Sequence, residues 1–340
     1  MSRRWRAVVG ALACTSAAIA ANAQPARSAA PAKTDAATWK APRTPDGHPD
    51  LQGVWLSHTA TPLERPKALE GRALLTDEEL AKLKARAAEI FANGGSDFAS
   101  GDAVFLAALS GPNEFKTPTA THGAVEMIER EFDHHTSLVI DPPDGRIPPL
   151  TPEASRRRAA RAAAARRPDG PEDFDSAFRC IAWATPRLGG RYGAGDLGYY
   201  QIVQTPDYVV LYMETGHEAR VIPLDGRPHL PAGVGQWNGD SRGRWEGDTL
   251  VVDTTNFSPK ANFMGAAEHL HLVERFTRTA ADTITYQMTF DDPTTWTRPW
   301  TAEMPLKQVD QQLYEYACHE GNFEMMRGTI SAAHAAEQQR

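Results

Sequence analysis

The feature that most constrains this chain is the punctuation of its second half. From Tyr199 onward, short runs of β-branched and aromatic residues recur about every ten residues between turn signals, a spacing that antiparallel sandwiches and barrels produce. The runs predict strands over residues 200–204, 208–214, 218–223, 249–254, 270–277, 283–290 and 312–318. Between them, Pro206-Asp207, Thr215-Gly216, Asp225-Gly226, Glu246-Gly247-Asp248 and Ala281-Asp282 each offer the dihedral or side-chain bond that a tight reversal needs. Sequential strands joined by short reversals pair as a meander. The expected fold class is therefore mainly β. An antiparallel meander forms a barrel-like domain over residues 171–330, with helical and irregular elaborations over 41–170 and a tail over 331–340.

The elaborations carry their own signals. Residues 42–66 read as an irregular lead-in around one short strand, Leu51-Gln52-Gly53-Val54-Trp55. Thr76 and Glu79 form a capping box, Leu80, Leu83, Ala87 and Ile90 follow a helical stripe, and Asn93-Gly94-Gly95 stops the helix. Residues 96–130 lack periodicity and read as a long loop. Residues 137–140 and 146–148 flank Asp141-Pro142-Pro143-Asp144-Gly145 as a strand, turn and return. Thr151-Pro152-Glu153 then opens an Arg-rich helix.

At the start of the chain, Arg3, Arg4 and Arg6 precede an apolar run over residues 7–20, and Ala21-Asn22-Ala23 supplies a small-x-small site. This pattern predicts a signal peptide over 1–23, cleaved after Ala23, and hence a periplasmic or secreted protein. The run is shorter than the roughly 20 apolar residues that span a bilayer, so no integral membrane span is expected. Residues 24–40, rich in Ala, Pro, Ser and Lys, read as a disordered tether. A formal charge of −7 disfavours nucleic acid or an anionic membrane as a general partner. The basic run over 156–167 reads as the solvated face of a helix. Cleavage leaves Cys180 and Cys318, an even pair that an oxidising compartment joins as a disulfide. A catalytic thiol at Cys318 beside His319 is the competing reading.

Three constellations can carry chemistry. Glu214, His217, Glu218 and Arg220 cluster at a predicted hairpin tip, with Arg227 and His229 in the next loop. There His217 serves as a general base oriented by Glu214, while Arg220 and Arg227 neutralise developing negative charge; a solvated turn is the plainer reading. Trp237, Trp296 and Trp300 offer apolar walls for a cyclic or aromatic ligand. His269 and His271, one residue apart on a predicted strand, point to one face about 7 Å apart, and with His319 they form an alternative metal site. Residues 240–248 read as a loop of crossed charges. Gly239-Asp240-Ser241-Arg242-Gly243 has the letters of a nucleophile elbow without its strand before and helix after. No phosphate loop, dinucleotide fingerprint or zinc-cysteine framework occurs, so no cofactor is expected.

Three blocks give the chain a family likeness: Pro49-Asp50-Leu51-Gln52-Gly53-Val54-Trp55, the stretch over 141–153, and residues 241–257 with Cys318-His319-Glu320-Gly321-Asn322. On these it resembles a large family of exported bacterial proteins, which implies export but no particular reaction. Gly53-Val54-Trp55 is similar to the first-strand motif of lipocalins, and implies a barrel that holds one small hydrophobic ligand. His269, His271 and Glu274 resemble a cupin metal motif. The leading expectation is an exported small-molecule-binding protein, with cofactor-independent lyase, isomerase or hydrolase chemistry on a cyclic or aromatic compound. The alternatives are a non-catalytic envelope protein that packs against a partner, and a cupin-like metal enzyme.

Overall fold

The computed structural model describes residues 39–90, 101–110, 130–183, 185, 186, 188 and 198–338. The expected signal peptide, nearly all of the tether and the Asn93-Gly94-Gly95 helix stop lie outside these residues. Ten strands make one sheet: β1 (Gly53–Leu56), β2 (Val139–Asp141), β3 (Tyr199–Gln204), β4 (Tyr208–Met213), β5 (Glu218–Pro223), β6 (Asp240–Glu246), β7 (Thr249–Thr255), β8 (His271–Ala280), β9 (Thr283–Asp291) and β10 (Trp300–Val309). Nine of them follow the order β5-β4-β3-β1-β10-β9-β8-β7-β6, and β2 pairs with β10 off this path. Every ladder is antiparallel. The sheet curls until β5 and β6 lie side by side, nearly closing a barrel. There the ideal Cβ of Gly243 would stand 2.6 Å from Leu224 and 2.9 Å from Ile222, so a larger residue would have to push these side chains aside.

Alternation fixes which side chains face inward. Leu272, Glu274 and Phe276 of β8, Ile284, Tyr286, Met288 and Phe290 of β9, and Trp300, Ala302, Met304 and Leu306 of β10 are buried, and the residues between them are more exposed. Phe290 stacks on Trp300 with ring centroids 4.1 Å apart and on Phe263 at 4.7 Å, and Phe276 stacks on Tyr286 at 4.3 Å. The lumen over this part of the wall is filled by rings, as small barrels require.

The elaborations dress the barrel. Helix α1 (Asp77–Ile90) starts at the expected capping box: Thr76 Oγ1 accepts from the Glu79 amide and the Glu79 carboxylate accepts from the Thr76 amide. Within the expected long loop, residues 101–110 instead form α2 (Gly101–Ser110), where Val104, Phe105 and Ala108 pack beside Leu80, Leu83 and Ala87 of α1. Helix α3 (Pro152–Arg166) is capped by Thr151, which accepts from the Ala154 amide. Helix α4 (Asn322–Gln338) follows the Cys180–Cys318 disulfide, the pairing expected from the cysteine count.

Five expectations need correction. Residues 240–248, read as a loop, hold β6 and its turn; the inward positions Ser241, Gly243 and Trp245 include one partly buried apolar side chain, so no apolar alternation betrays the strand. Trp300, placed in a loop, opens β10. Pro305 in its middle argues against a central strand, yet Glu303 N donates to Leu138 O, so Pro305 faces the same side, in the gap between the partners of β2 and β1 where no N–H is needed. Residues 312–318 join no ladder, and β2 pairs with β10 rather than with 146–148. Strand β8 begins at His271, so His269 lies before it on a turn.

Candidate functional site

Two clefts of similar size occur among the described residues, an open one of about 440 Å³ beside His217, Tyr212 and Tyr314, and one at the seam between β5 and β6. The seam cleft, of about 430 Å³, opens between Ala219, Arg220 and Val221 of β5 and the stretch from Gln236 to Ser241 that leads into β6. This is within the usual range for small-molecule sites. Trp237, half-buried, and Asn238 form part of its wall. The Asn238 side chain is fixed by Thr185 Oγ1, which donates to its Oδ1 at 2.9 Å.

Behind the cleft lies a buried polar cluster. Arg220 extends inward from β5, and its guanidinium grips both oxygens of Glu274, with Nη1 3.0 Å from Oε1. Its Nη2 also donates to Ser241 Oγ at 3.1 Å and Thr254 Oγ1 at 3.2 Å, and the Tyr286 hydroxyl donates to Glu274. One side chain of β5 thereby reaches β6, β7 and β8. Burial opposes the charge on Arg220, but the Glu274 carboxylate outweighs it and the guanidinium holds its proton more firmly than a free arginine. Burial, and then the charge on Glu274, push the Tyr286 hydroxyl well above its ordinary range. Among the described residues, the Arg220 Nε–H is buried with no hydrogen-bond partner.

Asp240, next to Ser241, points to the opposite face and starts an outer chain. His229 places Nδ1 3.0 Å from Asp240 Oδ2 and Nε2 2.9 Å from Asp253 Oδ1, and His271 Nε2 lies 2.9 Å from Asp253 Oδ2. Arg242 donates to Asp240 at 2.6 Å and to Pro228 O at 3.0 Å, and the Leu230 amide donates to Asp240 at 2.8 Å. Together these bonds hold the 225–239 loop, which includes part of the cleft wall, against the barrel. Burial pushes the Asp240 carboxyl up, but the bonds from Leu230, His229 and Arg242 prevail and hold it below its usual range. The bond from His271 keeps Asp253 low, against partial burial, and the same bond raises His271.

The residues singled out from sequence therefore separate. Arg220 and Trp237 meet at the cleft. His229 stands outside it, in the chain through Asp240. His217 and Glu214 secure the C-terminal segment: the Tyr316 amide donates to His217 Nε2 at 3.0 Å, His217 Nδ1 lies 3.3 Å from the Tyr212 hydroxyl, and Glu214 accepts from the Tyr314 amide at 2.8 Å. Arg227 pairs with Asp225 on the surface, holding that carboxyl at about 2. Trp296 and Trp300 are core residues, edge to face at 5.5 Å, rather than cleft walls. His269 lies beside Glu268, His271 is bound to Asp253 and His319 is exposed in a turn. Among the described residues no group of three His, Cys, Asp or Glu is arranged to hold a metal ion, so the cupin-like set is not assembled.

Sequence reasoning missed Glu274 as the partner of Arg220, together with Asp240, Asp253 and Ser241. For Glu274 a signal was present, an acid at an inward position between Leu272 and Phe276. Comparison with family models, curated proteins and solved structures finds no match to this chain.

Proposed function

We propose that the chain is an exported binding protein that holds a small uncharged molecule with a cyclic or aromatic group in the seam cleft. The observation that carries this reading is the cleft of about 430 Å³ itself, walled by Trp237 and by Asn238, whose side chain Thr185 holds in place, and backed by the buried Arg220 cluster. The Asn238 side-chain amide, oriented by Thr185, can donate to a ligand carbonyl or hydroxyl oxygen. Because Glu274 already neutralises Arg220, and Arg242 neutralises Asp240, a charged ligand gains little here and a neutral acceptor is favoured. A ring against Trp237 supplies apolar contact. The acids nearest the cleft are all engaged, so the reading is one of binding rather than proton transfer. The N-terminal export pattern and the disulfide agree with an oxidising compartment.

Thermal unfolding against a panel of neutral lactones, cyclic amides, phenols and sterol-like compounds tests this, because a ligand bound to the folded state at 100 times its Kd adds about 2.7 kcal/mol. A rise in Tm with one class, lost in Trp237→Ala and in Asn238→Ala, is expected. No rise with any class overturns the reading.

A further inference from the structure

We infer that the seam accepts an extended peptide segment as an added strand, antiparallel to both β5 and β6, and that an uncharged, ring-bearing side chain of this segment is the group the cleft holds; the inference rests on the cleft being a binding site, as read above. The argument begins with a parity. Nine strands in an all-antiparallel path leave the first and last, β5 and β6, running in the same direction. They cannot continue the antiparallel ladder with each other, and among the described residues no backbone hydrogen bond joins them. One strand laid against both edges at the cleft end, opposite in direction to both, pairs antiparallel with each.

The edges are oriented for this. Leu224 N donates to Asp207 O, toward β4, so the alternate residues Ala219, Val221 and Pro223 turn their backbone groups to the seam. On β6, the two-residue turn between Glu246 and Thr249 directs the even-numbered residues to β7 and leaves Ser241 and Gly243 facing the seam. The seam narrows where Gly243 meets Ile222 and Leu224, and Pro223 offers no N–H there, so pairing stops at that end. The cleft lies away from that end, beside Ala219 and Val221.

Side chains complete the fit. An inward residue of the segment meets Arg220 and Trp237. An outward one continues the row Val203, Val210 and Val221, which are in register across the outer wall, with Val203 40% and Val221 58% exposed. Since the charges at the cleft are already paired, the segment is uncharged where it docks. Main-chain bonds then give affinity and alternate side chains give selectivity.

The test uses the full chain and a library of N-acetylated, C-amidated hexapeptides of uncharged residues. A binder is expected to slow amide exchange at Ala219 and Val221, to lose about tenfold in affinity when alternate peptide amides are N-methylated, and to fail against Val221→Pro. N-methylation leaves the protein intact, so the result does not depend on that variant folding. A binder without exchange protection, or indifferent to N-methylation, overturns strand addition. Trp237-dependent binding of small cyclic compounds with no peptide bound overturns it and leaves the cleft reading standing. Binding of neither overturns both.

Discussion

Across β1, β10 and β9 the barrel wall is held by main-chain ladders over an interior of Trp55, Tyr286, Phe290 and Trp300, whereas between β5 and β6 it is held by one guanidinium over Glu274, Ser241 and Thr254. The two sides solve one problem by different means. Where strand directions alternate, backbone bonds close the wall and the interior can be entirely apolar. Where parity rules out the antiparallel ladder, a buried side chain, Arg220, spans the gap, beside the apolar contact of Ile222 and Leu224 with Gly243. The open seam and the buried ion pair are thus two aspects of one topological fact.

The strongest way to break this comparison is to remove the guanidinium. Arg220→Met leaves Glu274, 0% exposed, without its counter-charge, and should cost about 3–5 kcal/mol in denaturant unfolding. Arg220→Met combined with Glu274→Leu should recover most of that loss. A single-variant cost below about 1 kcal/mol would show that the pair does not hold the seam. Next in size is the tie between the C-terminal segment and the chain near the β4–β5 hairpin: Cys180→Ser with Cys318→Ser should cost about 2–4 kcal/mol, read as a lower Tm with the midpoint of the reduced wild type.

The outer chain gives a smaller, pH-dependent effect. His271 is raised above its ordinary 6.5, so its bond to Asp253 contributes fully below 6.5 and is lost as pH rises through the raised value. Asp253 is depressed below 3.8, so its contribution is present above 3.8 and is lost as pH falls through the lowered value. Stability from this pair is therefore greatest between about pH 4 and 6.5. His271→Gln should flatten the alkaline limb by less than about 1 kcal/mol, since the pair is partly exposed; a wild-type profile flat between pH 5 and 9 would contradict the assignment. Smallest of all, Val221→Thr on the exposed edge should leave unfolding within about 0.5 kcal/mol. A larger loss would mean that the edge is already packed.

The mainly β class and strands β3, β4, β5, β7, β8 and β9 were legible because apolar alternation and turn residues agree there. Strands β6 and β10 were not, for local reasons: β6 presents a serine and a glycine inward, and β10 carries a proline that only its exact neighbours make harmless. In the site, Arg220 and Trp237 could be picked out by residue type, but their company could not. Asp240 meets His229, and Arg220 meets Glu274, through the pairing of strands far apart in sequence. The cleft depends on the parity of the whole strand path, which no local window contains.

The place of β1 in the sheet has a consequence in time. Val54 pairs with Gln201 on one side and with Val309 on the other, so the first strand of the chain has neither neighbour until most of the sequence has been made, and gains the second only with the last strand. Closing such long loops is entropically slow. During synthesis the β1 segment must wait as an unpaired apolar edge, and the barrel wall can be completed only in the final stage of folding.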